Sequence, residues 1–214
     1  MKTQTLEETI RRTLDNGPSL PLAKPEFSLL IKDTEFLGYV LESPATSGLY
    51  YSFLYNLTKE MGPKTIVELG NRQGVSTASI IAGMDSTQVF YTVDVVEDLR
   101  LVPKHALEKE NVHVVFGDCL SQNVVEQLPN NIEFLFSDTE HTFAQISAEW
   151  KLYEEKLADR AIVAIDDINF PNSGGDKNQF IDKVKHYKHF NEKKFHGNGF
   201  FMFEYVRDTQ NLTT

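Results

Sequence analysis

Five apolar runs in this chain each end in an acid. "TIVELG" closes on Glu68-Leu69-Gly70, "QVFYTVD" on Asp94, "VHVVFGD" on Asp118, "IEFLFSD" on Asp138 and "AIVAIDD" on Asp166-Asp167. One such acid is an ordinary helix N-cap, a position that Asp favours. Five of them at successive run ends point instead to a shared site. Behind Asp138 stand Glu140 and His141, so three ionisable groups fall within four positions. Such a cluster could be a solvated loop, a metal site or the working end of an active site, and His141 could move a proton near neutral pH. Glu140 reads as a solvated neighbour.

The elements that position these groups alternate regularly from Lys64 onward. The five runs are short and continuous in apolar residues, as strands buried on both faces are. Helical stretches separate them: "GVSTASIIAGM", "EDLRLVPKHALEKE", "SQNVVEQLP" and "HTFAQISAEWKLYEEKLA". This alternation predicts an α/β fold, a Rossmann-like and mostly parallel sheet with helices on both faces. A further helix, "FIDKVKHYK", precedes "KKFH-GNG-FFMFEYV", which reads as a C-terminal antiparallel hairpin on its Asn198-Gly199 turn. Upstream, a short amphipathic helix is expected at Leu6–Leu14. A second, "SGLYYSFLYNLTKEMG", places Leu49, Phe53, Leu54 and Leu57 on one face. In an open parallel sheet ligands bind beyond the carboxyl ends of the strands, where the five acids lie.

The loop after the first strand, "ELGNRQGVST", narrows the ligand. Gly70 and Gly74 let the backbone pass close to a bound molecule, and the next helix opens with Ser76 and Thr77. A helix start suits a carboxylate or phosphate. The loop is neither G-x-G-x-x-G nor a P-loop. Asp94, 26 residues after Glu68, sits where an acid accepts ribose hydroxyls. A nucleoside-containing ligand without a pyrophosphate is expected.

Composition sets the outer limits. The 214 residues suffice for one substantial domain, and a formal charge of −10 argues against a nucleic-acid binder. Cys119 is the single cysteine, which fits a reducing, cytoplasmic setting. No stretch is apolar enough to span a membrane.

"VELGNRQGVST" with Asp94 resembles motifs I and II of class I S-adenosylmethionine-dependent methyltransferases. The resemblance runs from about Ser47 to the C-terminus and implies a seven-stranded sheet, the hairpin supplying strands six and seven. It divides the chain into an N-terminal helical and loop extension over the active site (1–45) and the methyltransferase domain (46–214). It implies a cofactor site in which Glu68, Asn71 and Arg72 belong to the loop and Gly70 and Gly74 pass under the methionine part. Ser76 and Thr77 would lie near its carboxylate, Asp94 would hold the ribose, Asp118 would approach the adenine and Asp138 would face both cofactor and metal. Within the superfamily, the stretch from Asp138 to Asp167 is similar to the metal-dependent O-methyltransferases of the catechol and caffeoyl-CoA type and to the related sugar and natural-product group. There an Asp and an Asp-Asn pair bind Mg²⁺, and a Lys three residues after the first Asp sits over the acceptor hydroxyl. On this resemblance Asp138, Asp166 and Asp167 would form a hard oxygen site for Mg²⁺, Ca²⁺ or Mn²⁺, with Asp167 standing for the Asn and His141 for the Lys.

The expected activity is transfer of a methyl group from S-adenosylmethionine to a hydroxyl of a small molecule, assisted by a divalent metal, with Asp138 and His141 at the reacting oxygen. Residues 15–48 and "NFPNSGGDKNQ" would cover the acceptor, the glycines suggesting a lid. Oligomeric state stays open, with pairing into a homodimer through the N-terminal segment as one expectation. The alternatives are a metal-independent methyltransferase of the same fold, a nicotinamide-dependent Rossmann oxidoreductase, and a silent cofactor-binding module.

Overall fold

Successive side chains of a strand point to opposite faces of a sheet, and in this protein both faces meet apolar partners. A computed structural model describes residues 4–16, 48–170 and 177–207. Its strands are β1 (Thr65–Leu69), β2 (Val89–Asp94), β3 (Val112–Phe116), β4 (Ile132–Ser137), β5 (Leu157–Ile165), β6 (Lys188–Glu192) and β7 (Phe200–Val206). They form one seven-stranded sheet in the order β3-β2-β1-β4-β5-β7-β6. β1 to β5 run parallel, while β7 pairs antiparallel with both β5 and β6.

Ile66, Phe90, Phe134, Phe136, Phe200 and Met202 pack into one core. Helices α1 (Leu6–Asn16), α2 (Gly48–Asn56, running into a π-helical turn at Leu57–Met61) and α3 (Val75–Gly83) cover that face. Val67, Leu135, Val163, Phe201 and Phe203 fill the opposite core. It is covered by α5 (Gln122–Gln127), α6 (Phe143–Tyr153) and α7 (Ile181–Val184). A one-turn helix, α4 (Lys104–Leu107), joins β2 to β3.

The chain runs outward from β1 through β2 to β3, then returns to β4 on β1's other side. The switch point therefore lies between β1 and β4, where a cleft opens beyond the strand ends. Both sides of that cleft hold residues singled out above. Ser137 pairs with Leu69 on one side and Ile165 on the other, so Gly70, Asp138 and Asp166 begin three adjacent exits from the sheet.

Several expected boundaries move. The long helix after β2 is only α4, because residues 95–103 fold back over the glycine loop, where the Leu101 N–H donates to the Gln73 carbonyl (3.2 Å). β5 begins at Leu157, four residues before the apolar run, since Arg160 and Ala161 pair with Val206 and Tyr205. The hairpin's first strand is Lys188–Glu192 rather than Lys193–His196. The residues after it fold inward, with Phe195 and His196 buried. α2 is buried beyond the predicted face, taking Tyr50, Tyr51 and Ser52 inside as well.

α1 runs two residues past its predicted end. Leu6 and Ile10 enter the core, and the Asn56 amide donates to Thr13 Oγ1 on α1 (3.0 Å). Its first turn lines a cavity at the amino ends of β4 and β5, opposite the cleft. Of the extension expected over the active site (1–45), residues 1–3 and 17–45 lie outside the described residues. So do 171–176 of the expected lid. Among the described residues no helix is long and apolar enough to cross a membrane.

Candidate active site

Close packing at the switch point explains the first glycine. Gly70 has φ +84°, and a Cβ there would lie 2.2 Å from the Asp138 carbonyl oxygen. Only glycine lets the ends of β1 and β4 approach this far. Gly74, at φ +96°, departs from its expected part: a Cβ would meet the Val102 side chain at 2.4 Å. Its missing side chain admits Val102 from the folded-back 95–103 segment, although the residue still lines the cleft.

Beneath this loop Glu68 is fully buried. Thr77 and Thr92 hydroxyls donate to its Oε2 at 2.7 and 2.6 Å. Burial pushes its carboxyl up to about 7, against the opposing hydroxyls of Ser76, Thr92 and Thr77. Glu68 and Thr77 thus brace the loop from below and do not line the cleft. Asp94 works from the side: its Oδ2 accepts the backbone N–H groups of Asn71 and Arg72 (2.9 and 2.7 Å), and its Oδ1 accepts that of Val96 (2.9 Å). A carboxylate offers about four lone-pair sites, so Asp94 shapes the loop and retains capacity for a ligand. Arg72 itself adopts φ +47°, a left-handed turn.

Two cavities flank the end of β4. One, of about 740 Å³, is lined by Tyr50, Tyr51, Asn71, Arg72, Gly74, Ser76, His141, Asp166, Asp167 and Asn198. The other, of about 440 Å³, is lined by Gly70, Asp94, Val95, Asp118, Cys119 and Glu140. Asp138 and Thr139 line both. Asp118 is exposed, with its Oδ1 accepting the Leu120 N–H (2.8 Å).

Asp138 is held from every side. Its N–H donates to the Leu69 carbonyl (2.8 Å). The flanking Ser137 (2.6 Å) and Thr139 hydroxyls donate to the buried carboxylate of Glu149 on α6, as does the Gln145 amide (2.9 Å). Cys119 is buried beside Glu149, and desolvation with that neighbouring charge pushes its thiol up to about 12, so it is no nucleophile.

The first cavity gathers the charged groups. His141 Nε2 stands 3.1 Å from Asp167 Oδ2 and 3.9 Å from Asp138 Oδ1. Its hydrogen bond to Asp138 raises its pKa, against burial and with help from the Asp167 charge. His141 precedes α6, whose start is capped by Thr142, and its ring meets Phe170 at 4.8 Å. Burial and the Asp138 charge hold Asp166 above the ordinary carboxylate range, while His196 opposes this. Asp138, His141 and Asp167 offer ligand atoms within 4.8 Å of one another, and so do Asp166, Asp167 and His196. Tyr50 and Tyr51 form the facing wall, their rings 4.1 Å apart. Desolvation raises both phenols above their usual range, so they stay protonated.

Three contributors escaped the sequence. His196, in "FHGNG", reaches Asp166 from 30 residues away. Lys177 is buried and donates from Nζ to the Asp166 carbonyl (2.8 Å). Glu149 sits on the helix expected after the fourth run, where nothing in the sequence marked it. The Asn198-Gly199 turn marked a loop near His196, but no signal in the sequence placed that loop at the strand ends.

Residues 67–168 match a family described as a methyltransferase domain. No curated protein matches the sequence. Among solved structures, a methyltransferase from Geobacter sulfurreducens superposes with a TM-score of 0.64 at 16% identity, covering 92% of this chain and 96% of that one. An S-adenosylhomocysteine-bound methyltransferase from Podospora anserina gives 0.61 at 14% identity over 95% and 88%. An O-methyltransferase from Bacillus cereus in complex with S-adenosylhomocysteine gives 0.57 at 17% over 93% and 90%. The chain thus has the fold of solved methyltransferases, antiparallel seventh strand included, and its residues 67–168 match the methyltransferase domain.

Proposed function

We propose that the protein methylates a hydroxyl of a small molecule and that a divalent cation assists the transfer. The observation that carries this reading is the meeting of Asp138, His141, Asp166 and Asp167 in one cavity, which shares Asp138 and Thr139 with the second. The donor set suits a cation: carboxylates from two adjacent strand ends, one of them buried beside another acid, are the ligands that Mg²⁺ and Mn²⁺ take. A cation bound there would supply positive charge that lowers the pKa of the acceptor hydroxyl. S-adenosylmethionine supplies a methyl group already activated on sulfur.

This chain's residues do the rest. Gly70, Asp94 and Asp118 would seat the adenosine part in the 440 Å³ cavity. Asn71, Arg72 and Ser76, at the mouth of the larger one, would meet the methionine part. Tyr50 and Tyr51 would wall the acceptor, excluding water. His141 would hold or remove the acceptor's proton, since its ring stands beside both Asp138 and Asp167. Alignment of oxygen, carbon and sulfur is the main task, because the methyl group needs no further activation. The name of the Bacillus cereus relative supports oxygen as the acceptor atom, and the acidic composition supports an uncharged or cation-chelating small molecule over nucleic acid. The buried single thiol suits a reducing, cytoplasmic setting.

The test is tritium transfer from labelled S-adenosylmethionine to catechol and caffeoyl probes, with EDTA and after Mg²⁺ or Mn²⁺ is restored. Loss with chelator and recovery with cation is expected. Transfer indifferent to chelator would leave a metal-independent methyltransferase.

A further inference from the structure

We infer that His196, carried on the connection between β6 and β7, is a positioning residue for the cation centre. It fixes the carboxylate of Asp166 in one rotation, leaving Oδ2 for the ion. This rests on the cation reading above and adds to it a residue from the antiparallel edge of the sheet.

Both ring nitrogens are already committed. The Asn198 backbone N–H donates to His196 Nδ1 (3.3 Å), so in the neutral ring Nδ1 carries the lone pair and Nε2 the proton. Nε2 then donates to Asp166 Oδ1. With both nitrogens engaged in this arrangement, the imidazole is assigned to orienting the Asp166 carboxylate rather than to ligating the ion itself. Groups that hydrogen-bond ligating side chains in this way set their orientation and basicity.

The ring is held in turn. His196 is 3% exposed, and its ring stands 5.4 Å from that of Tyr50, which stacks on Phe200 (5.3 Å, 15°). The connection that carries it is tied to the segment leaving β5. The Asn169 N–H donates to the Asn198 carbonyl (2.7 Å) and the Ile168 N–H to the Gly199 carbonyl (3.2 Å). These bonds tie the backbone that carries His196 to the backbone just after Asp166 and Asp167. His196 Nδ1 also lies 3.6 Å from Asp167 Oδ1, so the same ring limits the second carboxylate.

The experiment measures Mn²⁺ affinity by electron paramagnetic resonance of the free ion, with S-adenosylhomocysteine affinity by calorimetry on the same samples. Wild type is compared with His196→Gln, which keeps an N–H donor, and with His196→Ala and His196→Met, which do not. The donor-less variants should bind Mn²⁺ about 10- to 100-fold more weakly, and Gln within about fivefold of wild type. S-adenosylhomocysteine affinity should be unchanged, and a donor-less variant that loses it as well is set aside for the other as misfolded. Mn²⁺ affinity equal to wild type in a folded donor-less variant overturns the assignment. So does a Gln variant as weak as Met, which would make the role one of packing. If the unmodified protein binds S-adenosylhomocysteine but no Mn²⁺, the cation reading itself has failed, and the two failures are told apart in wild type alone.

Discussion

Replacing Glu68 by glutamine should change how the stability of the protein depends on pH. Glu68 is fully buried under the glycine loop, and desolvation raises its carboxyl from the ordinary 4.5 to about 7. A raised carboxyl binds its proton more tightly in the folded chain than in the unfolded one. Folding therefore takes up a proton between these values, and stability falls as pH rises through them. Below pH 4.5 both states are protonated and the residue contributes nothing to the dependence. Above pH 7 the cost of the buried charge is complete, at about 3 kcal/mol. Glutamine keeps an oxygen for the Thr77 and Thr92 hydroxyls but cannot ionise. The stability of Glu68→Gln relative to wild type should rise by about 2–3 kcal/mol between pH 5 and pH 8, whatever its offset at pH 5. For a chain of this size that corresponds to about 5–10 °C in Tm. Urea unfolding followed by Trp150 fluorescence measures it, because this single tryptophan sits edge-on to Phe180, Phe203 and Tyr205. A difference that stays flat within about 1 kcal/mol would refute the buried-charge argument.

Other substitutions probe the remaining parts. Asp138→Ala should lower methyl transfer at least about 100-fold while leaving the far-UV circular dichroism spectrum intact; an active variant would remove Asp138 from the site. Gly70→Ala should cost about 3 kcal/mol or more, read as a drop in the urea midpoint, because its Cβ would lie 2.2 Å from the Asp138 carbonyl oxygen at a left-handed φ. Leu6→Ala should cost about 2–5 kcal/mol in the same assay, as for any fully buried leucine. A neutral result there would separate α1 from the core.

How far the sequence could be read follows from where each strand lies. β1, β2 and β4 are central or nearly so, and their unbroken apolar runs announce them. The start of β5 was hidden because Asp159 and Arg160 are exposed there, and what makes them a strand is pairing with β7 across the sheet. β6 is an edge strand with exposed Lys188 and His189, so its sequence carries no buried face to recognise. The five acids were legible because parallel strands bring their carboxyl ends together whatever the loops do. Glu68 shows the limit of that rule: its side chain points under the sheet's end and into Thr77 and Thr92. His196 was illegible for the opposite reason. An antiparallel connection can fall anywhere along its neighbour, and only the tie to Ile168 and Asn169 places it beside Asp166.

The partition between the two cavities has a thermodynamic side. Asp138 and Thr139 line both cavities, and Gly70 presses on Asp138 from the β1 side. Reacting atoms must come within about 3–3.5 Å for transfer, so whatever fills one cavity touches the wall of the other. Two ligands on a common wall are linked. If the cofactor changes acceptor affinity by some factor, the acceptor must change cofactor affinity by the same factor. If the two cavities seat cofactor and acceptor as proposed, their binding is then one coupled equilibrium, with Asp138 on the wall they share.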